Sequence, residues 1–323
     1  MYQPILSRRG LFGGMAGVAA LATVGAPRLA LAQDAAGPRP TLYDRKVGDM
    51  TVTTLLDGGF GLAQELFTGI DAAGIAAGLT AAYHDPSGPL PVPVQSHMIR
   101  SGDQITLIDA GAGMAFGPGA GRLGAALAAV SVTPELVNRI VLTHMHPDHV
   151  GGLMAGDAAA FPSATVHVSQ TDLAFWTDEG IAAGAPDAAK PFFALARAVA
   201  AAYGDRIMPF DGDNVDLGGG VTSVSLPGHT VGHTGYRLSS GNDQMLIAGD
   251  VAAMAAFQFA TPDVGLTFDT DGAMAVATRR KLLGMAAADK IAFAASHLPF
   301  PGVGHVEAKG DAFAWVPEEW KVL

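Results

Sequence analysis

The chain has 323 residues, of which 49% are hydrophobic, and this is an ordinary globular composition. It contains no cysteine, which excludes disulfides, thiolate metal ligands and a thiol nucleophile. Its formal net charge of −11 argues against nucleic acids and anionic membranes as partners.

The first 32 residues have the pattern of an export signal. Arg8 and Arg9 precede an apolar run rich in Gly and Ala, and "ALA" at 30–32 supplies a small-residue cleavage site. The paired arginines are typical of the twin-arginine route, which predicts a periplasmic or secreted protein. The apolar run is shorter than the roughly 20 residues that span a bilayer, so a membrane anchor is disfavoured. We therefore expect a signal peptide at 1–32, a linker at 33–41 and one domain at 42–323.

Strands and helices alternate along the rest of the chain. Strands are predicted where apolar and β-branched residues alternate or run together, and helices where Ala- and Leu-rich segments follow a capping residue. This pattern predicts an α/β domain with two sheets covered by helices. The first predicted strand ends at the glycine pair of "MTVTTLLDGG" (50–59). The other strands are expected at 91–111 (two strands), 139–144, 163–169, 221–230, 244–250 and 290–297, and the helices at 72–83, 121–130, 133–140, 172–180, 191–204 and 271–288.

One of these strands runs into "THMHPDHVGG" (143–152), which holds three histidines and an aspartate within six positions. His144 and His146 are two residues apart, so an extended turn can direct both at one ion. Asp148 and His149 are adjacent and are expected to face a second ion. Pro147 between the pairs restricts the turn and is expected to keep it from becoming a helix.

Three further predicted strands end in a histidine or an aspartate, namely His229, Asp250 and His297. Loops at the ends of buried strands are where a rigid scaffold presents a site. Imidazole and carboxylate together suit zinc, iron, manganese or cobalt. Burying so many ionisable groups without a partner would be costly. The pattern therefore predicts a site for divalent metal ions.

At these residues the chain resembles the metallo-β-lactamase superfamily, through "HMHPDH", "PGHTVGH", "AGD" and "SH" in that order. The resemblance implies an αβ/βα four-layer sandwich, with two mixed β-sheets flanked by helices. It implies that one ion is held by His144, His146 and His229, and a second by Asp148, His149 and His297. Asp250 would bridge the two ions. Asp109 would lie behind the ligating histidines, and His233 would have a structural or supporting role.

A narrower resemblance, to methyl parathion hydrolase and its relatives, rests on "FGPGAGRL" (116–123), "AAFPSATVHV" (159–168) and "SHLPFPGVGH" (296–305). It implies an exported dinuclear hydrolase of phosphotriesters, with lactones and aryl esters as alternatives, and suggests a homodimer. Phe116, Trp176 and Phe193 match the aromatic residues that line the leaving-group pocket in that family. Phe268 and Ala253 depart from the family pattern in size, so the pocket is expected to differ.

These residues predict a mechanism that needs no serine or cysteine nucleophile. Two ions that share Asp250 would also share a water, and coordination lowers the pKa of water towards about 7. The resulting hydroxide would attack an ester carbon or phosphorus, and the metal would stabilise the developing oxyanion. Asp148 could take or direct the proton. Zinc is the expected metal, with manganese, iron or cobalt as alternatives.

Three other classes of protein compete with this hypothesis. A β-lactamase shares the fold, but its Cys-containing classes need a ligand that this chain lacks. A binding or scaffold protein would be expected to have lost ligands, and all seven are present. A redox enzyme of the same fold would carry a flavin domain or a single iron. The preferred hypothesis is a hydrolase of small neutral esters.

Overall fold

The computed structural model describes residues 39–319, so the predicted signal peptide lies outside the described residues. β1 begins at Leu42, and residues from Pro40 onwards belong to one compact unit. The strands are β1 Leu42–Val47, β2 Met50–Leu62, β3 Phe67–Thr68, β4 Leu90–Ser101, β5 Gln104–Ile108, β6 Arg139–Val141, β7 Met154–Ala155, β8 Ala158–Ala159, β9 Thr165–Ser169, β10 Ile207–Phe210, β11 Val221–Ser225, β12 Thr234–Ser240, β13 Asp243–Ile247, β14 Gly265–Leu266, β15 Ala292–Ala294, β16 Val303–Lys309 and β17 Ala312–Pro317.

The described part of the chain contains seven α-helices, which connect these strands. Among residues 39–319, no helix is long and apolar enough to cross a bilayer. The helices are α1 Ala72–Ala81, α2 Leu123–Ala129, α3 Pro147–Val150, α4 Gln170–Thr177, α5 Glu179–Gly184, α6 Lys190–Tyr203 and α7 Gly272–Asp289.

Two mixed sheets form the centre of the fold. The first has seven strands in the order β1-β2-β4-β5-β6-β9-β10, and the second has six in the order β11-β12-β13-β15-β16-β17. In the first sheet β5, β6, β9 and β10 run parallel, and in the second β13 and β15 run parallel. The remaining pairs in these two sheets are antiparallel. The predicted α/β architecture of two mixed sheets is therefore confirmed.

The layers follow from which face of each strand is apolar. Val52 and Ile99 pack with Leu238 and Ile247 between the two sheets. The opposite face of the first sheet packs against α2, α4 and α6, and the opposite face of the second packs against α7. Both sheets are thus covered on the outside by helices, which is the expected four-layer sandwich.

Three local predictions are wrong. The helix expected at 133–140 is only a 3-10 turn at Pro134–Leu136, and β6 begins at Arg139. β2 does not end at its glycine pair but continues to Leu62, with a bulge between Leu56 and Gly58. Gly58 has φ +143°, and a side chain there would lie 2.2 Å from the Gly119 carbonyl oxygen, so the glycine serves a close approach. Pro147 does not prevent a helix but begins one, α3, at the position where its missing N–H costs nothing.

Candidate metal centre

Four segments that follow strands bring the predicted ligands to one place between the two sheets. They follow β6, β11, β13 and β15, whose carboxyl ends meet at the same edge. We call the seven side chains collected there the polar cluster. Each of them is at most 9% exposed. The members of the polar cluster are His144, His146, Asp148, His149, His229, Asp250 and His297.

Three imidazoles form the first part of the polar cluster, which we call the imidazole group: His144, His146 and His229. The Nδ1 atom of His146 lies 3.0 Å from the Nε2 atom of His144 and 3.0 Å from that of His229. A zinc ion with tetrahedral Zn–N bonds of about 2.0–2.1 Å holds its nitrogens about 3.3 Å apart. The three nitrogens therefore fit one ion.

Asp148, His149 and His297 form the second part, which we call the carboxylate group. The Oδ2 atom of Asp148 lies 3.2 Å from the Nε2 atom of His297 and 3.6 Å from that of His149. Its donors are two imidazoles and a carboxylate, a set that suits zinc, iron, manganese or cobalt. The carboxylate group can therefore hold a second ion.

Asp250 lies between the two groups. Its Oδ2 atom is 3.1 Å from the Nε2 atom of His297 and 3.4 Å from that of His149. The same oxygen is 3.5 Å from the Nε2 atom of His229 and 3.8 Å from that of His144. Because it faces imidazoles of both groups, this carboxylate can contact two ions at once.

Outer hydrogen bonds fix the orientation of four imidazoles. The Nδ1 atoms of His149, His229 and His297 donate to Asp109 Oδ2 (2.8 Å), Asp269 Oδ1 (2.7 Å) and the Pro93 carbonyl (2.7 Å), respectively. The Thr143 hydroxyl donates to Asp109, so it accepts from the Nδ1 atom of His144. All four rings therefore direct their Nε2 atoms inward, the arrangement that metal-ligating histidines adopt.

Two buried atoms at the centre of the polar cluster are available to bind a cation. The Nε2 atom of His149 and the Oδ1 atom of Asp250 lack a hydrogen-bond partner among the residues that the structure describes. Buried polar atoms are normally paired, because an unpaired one costs about 1–3 kcal/mol. Divalent ions bound by these atoms would satisfy both, so the residues present fit a metal centre.

Charge is distributed unevenly between the two groups. Burial, with help from neighbouring imidazoles, lowers the pKa of His144 well below its ordinary range and that of His146 to about 3. For His297, burial is outweighed by Asp250 and Asp148, which raise its pKa to about 10. The pKa of His149 is likewise raised, because Asp250, Asp148 and Asp109 outweigh burial. His144 and His146 are therefore neutral, whereas the carboxylate group attracts positive charge.

Asp109 and His233 lie behind the polar cluster, where the sequence places them. Asp109 has φ +60° and accepts hydrogen bonds from the backbone and hydroxyl of Thr143 as well as from His149. His233 accepts the backbone N–H of Asp250 at its Nε2 atom (3.0 Å), so its role here is to hold Asp250. Gly151 and Gly152 allow the turn after α3 to approach the segment after β5, because a side chain at Gly152 would lie 1.9 Å from the Ala110 carbonyl oxygen.

Sequence reasoning missed two supporting carboxylates. Asp269 orients His229, and its Oδ2 atom also accepts the backbone N–H of Leu266 (2.9 Å). Asp172 is fully buried and accepts the backbone N–H groups of Met145 (2.9 Å) and Gly232 (3.0 Å), which ties together the loops of His146 and His229. Neither aspartate has a local signature, because each acts through the backbone or one ring of a distant segment.

The polar cluster forms the floor of an apolar cavity of about 250 Å³. Phe116 and Phe268 line this front cavity, as the sequence predicts. Phe60, which was not predicted, stacks on Phe116 with ring centroids 4.6 Å apart. The other apolar lining residues are Leu62, Leu66, Val92, Pro147, Phe192, Met254 and Leu266.

Trp176 and Phe193 belong elsewhere, so the four predicted pocket residues do not surround one space. Both are almost fully buried, with ring centroids 4.7 Å apart. They line a side cavity of about 350 Å³, which borders the front cavity at His146, Phe192 and Phe268. The prediction of a single aromatic pocket is therefore corrected: α4 and α6 hold the Trp176 and Phe193 rings in the helical layer.

Comparisons with known proteins give a consistent result. The family model "Metallo-beta-lactamase superfamily" matches residues 89–310. The chain is similar to the crystal structure of hydrolase AbOPH in the β-lactamase superfamily, with 30% identity, a TM-score of 0.82, and coverage of 89% of this chain and 100% of that one. It is also similar to AidC, a dizinc quorum-quenching lactonase in complex with a product, N-hexanoyl-L-homoserine. That likeness has 25% identity, a TM-score of 0.82, and coverage of 88% and 99%. No curated protein sequence matches significantly.

Proposed function

Since the chain belongs to the metallo-β-lactamase superfamily and is a metal-dependent hydrolase of that superfamily, we propose that it hydrolyses small, neutral, apolar esters and lactones. The observation that carries the proposal is the position of Asp250, between two groups of three ligands at the floor of an apolar cavity. We propose zinc as the metal, held by the imidazole group and the carboxylate group with Asp250 as the bridge.

The chemistry that two divalent ions supply when bound is activation of a water at neutral pH and polarisation of the scissile group. A side chain of the protein is expected to transfer the proton. Asp148 borders the front cavity and lies beside His297, so its carboxylate is placed to accept the proton of the attacking water and return it to the leaving oxygen. His233 and Asp109 keep Asp250 and His149 in position.

The lining of the front cavity supports a neutral substrate. Among the described residues, no lysine or arginine lines it, so no basic side chain there would pair with a carboxylate on the substrate. A β-lactam carries such a carboxylate, which makes it a poor candidate. Phe60, Phe116, Phe192 and Phe268 instead offer apolar contact.

Lactones and carboxylic esters are our first candidates because AidC is a lactonase and shares the fold along 88% of this chain. Phosphotriesters are the second candidate, because the resemblance to methyl parathion hydrolase includes Phe116, which lines the front cavity. We also propose export by the twin-arginine route. Replacing Arg8 and Arg9 by lysine should then leave the protein in the cytoplasm, and N-terminal sequencing of the exported form should begin at Gln33.

The test of the function uses the full chain, stripped of metal and reloaded with Zn²⁺. Hydrolysis of N-hexanoyl-homoserine lactone, 4-nitrophenyl acetate, a 4-nitrophenyl dialkyl phosphate and nitrocefin is measured beside metal content. We expect about two ions per chain. We expect turnover of the lactone and the carboxylic ester above that of the phosphotriester, and none of nitrocefin. Equal activity before and after metal removal would contradict the proposal, and preference for the phosphotriester would favour the second candidate.

A further inference from the structure

A second large cavity lies on the other side of His297 from the front cavity. This rear cavity has a volume of about 500 Å³, twice the roughly 250 Å³ of the front cavity. It lies among the end of α1, the first residues of β4, and the loops after β13 and β15. Its aliphatic lining residues include Ala82, Leu90, Pro91, Ala255, Ala256 and Pro299. The mechanism proposed above makes no use of this space.

Met254 and His297 border both cavities, so together they form the partition between them. His297 is fixed, because its Nδ1 atom donates to the Pro93 carbonyl (2.7 Å) and its Nε2 atom faces Asp250 (3.1 Å). The backbone of Met254 is also fixed, because its N–H donates to the Oε1 atom of Gln258 (3.0 Å). The Met254 side chain is unbranched and has three rotatable bonds, so it is the part of the partition that can move.

The cavities differ in the chemistry of their walls. The side cavity is lined by the rings of Phe175, Trp176, Phe192 and Phe193, which suit a planar group. The rear cavity contains no Phe, Tyr or Trp among its described lining residues, and its imidazoles are those of His84 and His297. Walls of alanine, proline and leucine suit a flexible aliphatic chain.

The volumes of the cavities also indicate that a longer substrate chain needs space beyond the front cavity. Cavities that bury most of a drug-sized ligand have volumes of about 300–1,000 Å³. The front cavity, at about 250 Å³, falls below this range and can hold a reacting ester group with small substituents. A substrate with a longer chain needs additional space that adjoins the polar cluster.

We propose that the rear cavity binds the aliphatic acyl chain of the substrate, and that Met254 controls the passage of that chain from the front cavity. This inference rests on the proposed function, because it places the ester group of the substrate at the polar cluster. The geometry assigns the acyl chain to the rear cavity, whereas the side cavity suits aromatic rings.

The test compares 4-nitrophenyl esters from acetate to decanoate on the Zn²⁺-loaded full chain. In the wild type, kcat/KM should rise with chain length by up to about fourfold for each buried methylene. Ala256→Phe places a ring in the rear cavity and should lower the decanoate-to-acetate ratio of kcat/KM by at least about tenfold. Met254→Ala should raise this ratio, and Met254→Phe should lower it.

Ala260→Phe is the matched control, since Ala260 lies in the same loop but is exposed and outside the rear cavity. It should leave the chain-length profile as in the wild type. Binding of decanoate to the metal-loaded protein, measured by calorimetry, gives a readout other than turnover, and it should weaken in Ala256→Phe but not in Ala260→Phe.

The outcomes separate the two proposals. Metal-dependent hydrolysis with a profile that Ala256→Phe does not change would overturn the rear-cavity subsite and leave the proposed function intact. Failure to hydrolyse any ester or lactone would overturn the function, and the subsite with it. An equal loss in Ala256→Phe and Ala260→Phe would also overturn the subsite, because the effect would then come from the loop and not from the rear cavity.

Discussion

His97 and the histidines of the polar cluster are buried to a similar degree, but their surroundings are opposite. His97 lies in β4, is 1% exposed, and pairs across the sheet with Thr54 and Ile108. Its Nε2 atom lacks a hydrogen-bond partner among the described residues. His297 is 5% exposed, yet it faces two carboxylates within 3.2 Å.

The difference shows that burial alone does not make a metal site. Burial lowers the pKa of His97 to about 4, which leaves a neutral ring in an apolar layer. At His297 the carboxylates outweigh burial and raise the pKa to about 10. A site for cations therefore requires convergent donors with anionic partners.

The largest expected effect comes from Asp250→Ala, which removes the carboxylate shared by the two groups. His149, His229 and His297 would then face one another without their common anion. We expect metal affinity and kcat/KM to fall by more than about 100-fold, beyond the range seen for outer partners of a metal site. Metal content and kinetics on the full chain measure this. Full retention of two ions would show that Asp250 is not the bridge.

The second largest effect is expected from replacing a histidine of the polar cluster, and it is compared with replacement of His97. His146→Ala removes a donor from the imidazole group, so we expect one ion per chain in place of two. His97→Leu should retain both ions and near wild-type turnover at neutral pH, because among the described residues no hydrogen bond or ion pair joins His97 to the polar cluster, and burial alone lowers its pKa. Elemental analysis measures the metal content of both variants. Equal metal loss in the two would contradict the conclusion that His146 binds metal and His97 does not.

A smaller effect is expected from the outer carboxylates. Asp269→Asn keeps the size of the side chain but weakens the partner of the Nδ1 atom of His229. Changing such a partner typically costs 10–100-fold in metal affinity. Asp109→Asn should do the same at His149, whereas Asp263→Asn, an exposed carboxylate paired with Arg280, is a control that should bind metal as the wild type does. Zinc competition titrations measure the affinities, and a loss in the control would point to a general effect of charge.

The sequence was informative where function is encoded locally. The HMHPDH stretch predicts its own ligands, because all of them lie on one short segment next to a strand. β11, β13 and β15 run in the same direction within one sheet, so their carboxyl ends lie on the same side. This places His229, Asp250 and His297 near one another. Most of the predicted elements also have the expected type, which follows from their apolar patterns, although β1, β10, β12, β16 and β17 were not predicted.

The sequence was less informative where one segment depends on another. Asp172 and Asp269 support loops that are distant in the chain, so spacing gives no sign of them. The extension of β2 past Gly58 depends on the backbone of Gly119, which only the fold brings near. Trp176 was expected in the substrate pocket because it matches an aromatic position of the methyl parathion hydrolase family, but packing of α4 against α6 assigns it to a different space.

Substitution of His97 is expected to have the smallest effect of these changes at neutral pH. At acid pH, however, it should have a clear effect on the free energy of unfolding. Its pKa is about 4 in the folded protein, against about 6.5 in the unfolded chain. The unfolded chain therefore binds a proton that the folded chain does not, so stability is present above pH 6.5 and falls as the pH drops towards 4. The loss amounts to about 3 kcal/mol over this window.

His97→Leu removes this titration. Between pH 7 and pH 4, its free energy of unfolding relative to the wild type should therefore rise by about 3 kcal/mol. Denaturant unfolding of the metal-free proteins measures the difference, in which the titration of the polar cluster cancels because both proteins share it. Thr54→Val, in the same cross-strand pair, carries no titrating group and should shift stability equally at all pH values. A pH-independent difference for His97→Leu would mean that the His97 ring is protonated as readily in the folded protein as in the unfolded chain, and the contrast with the polar cluster would not hold.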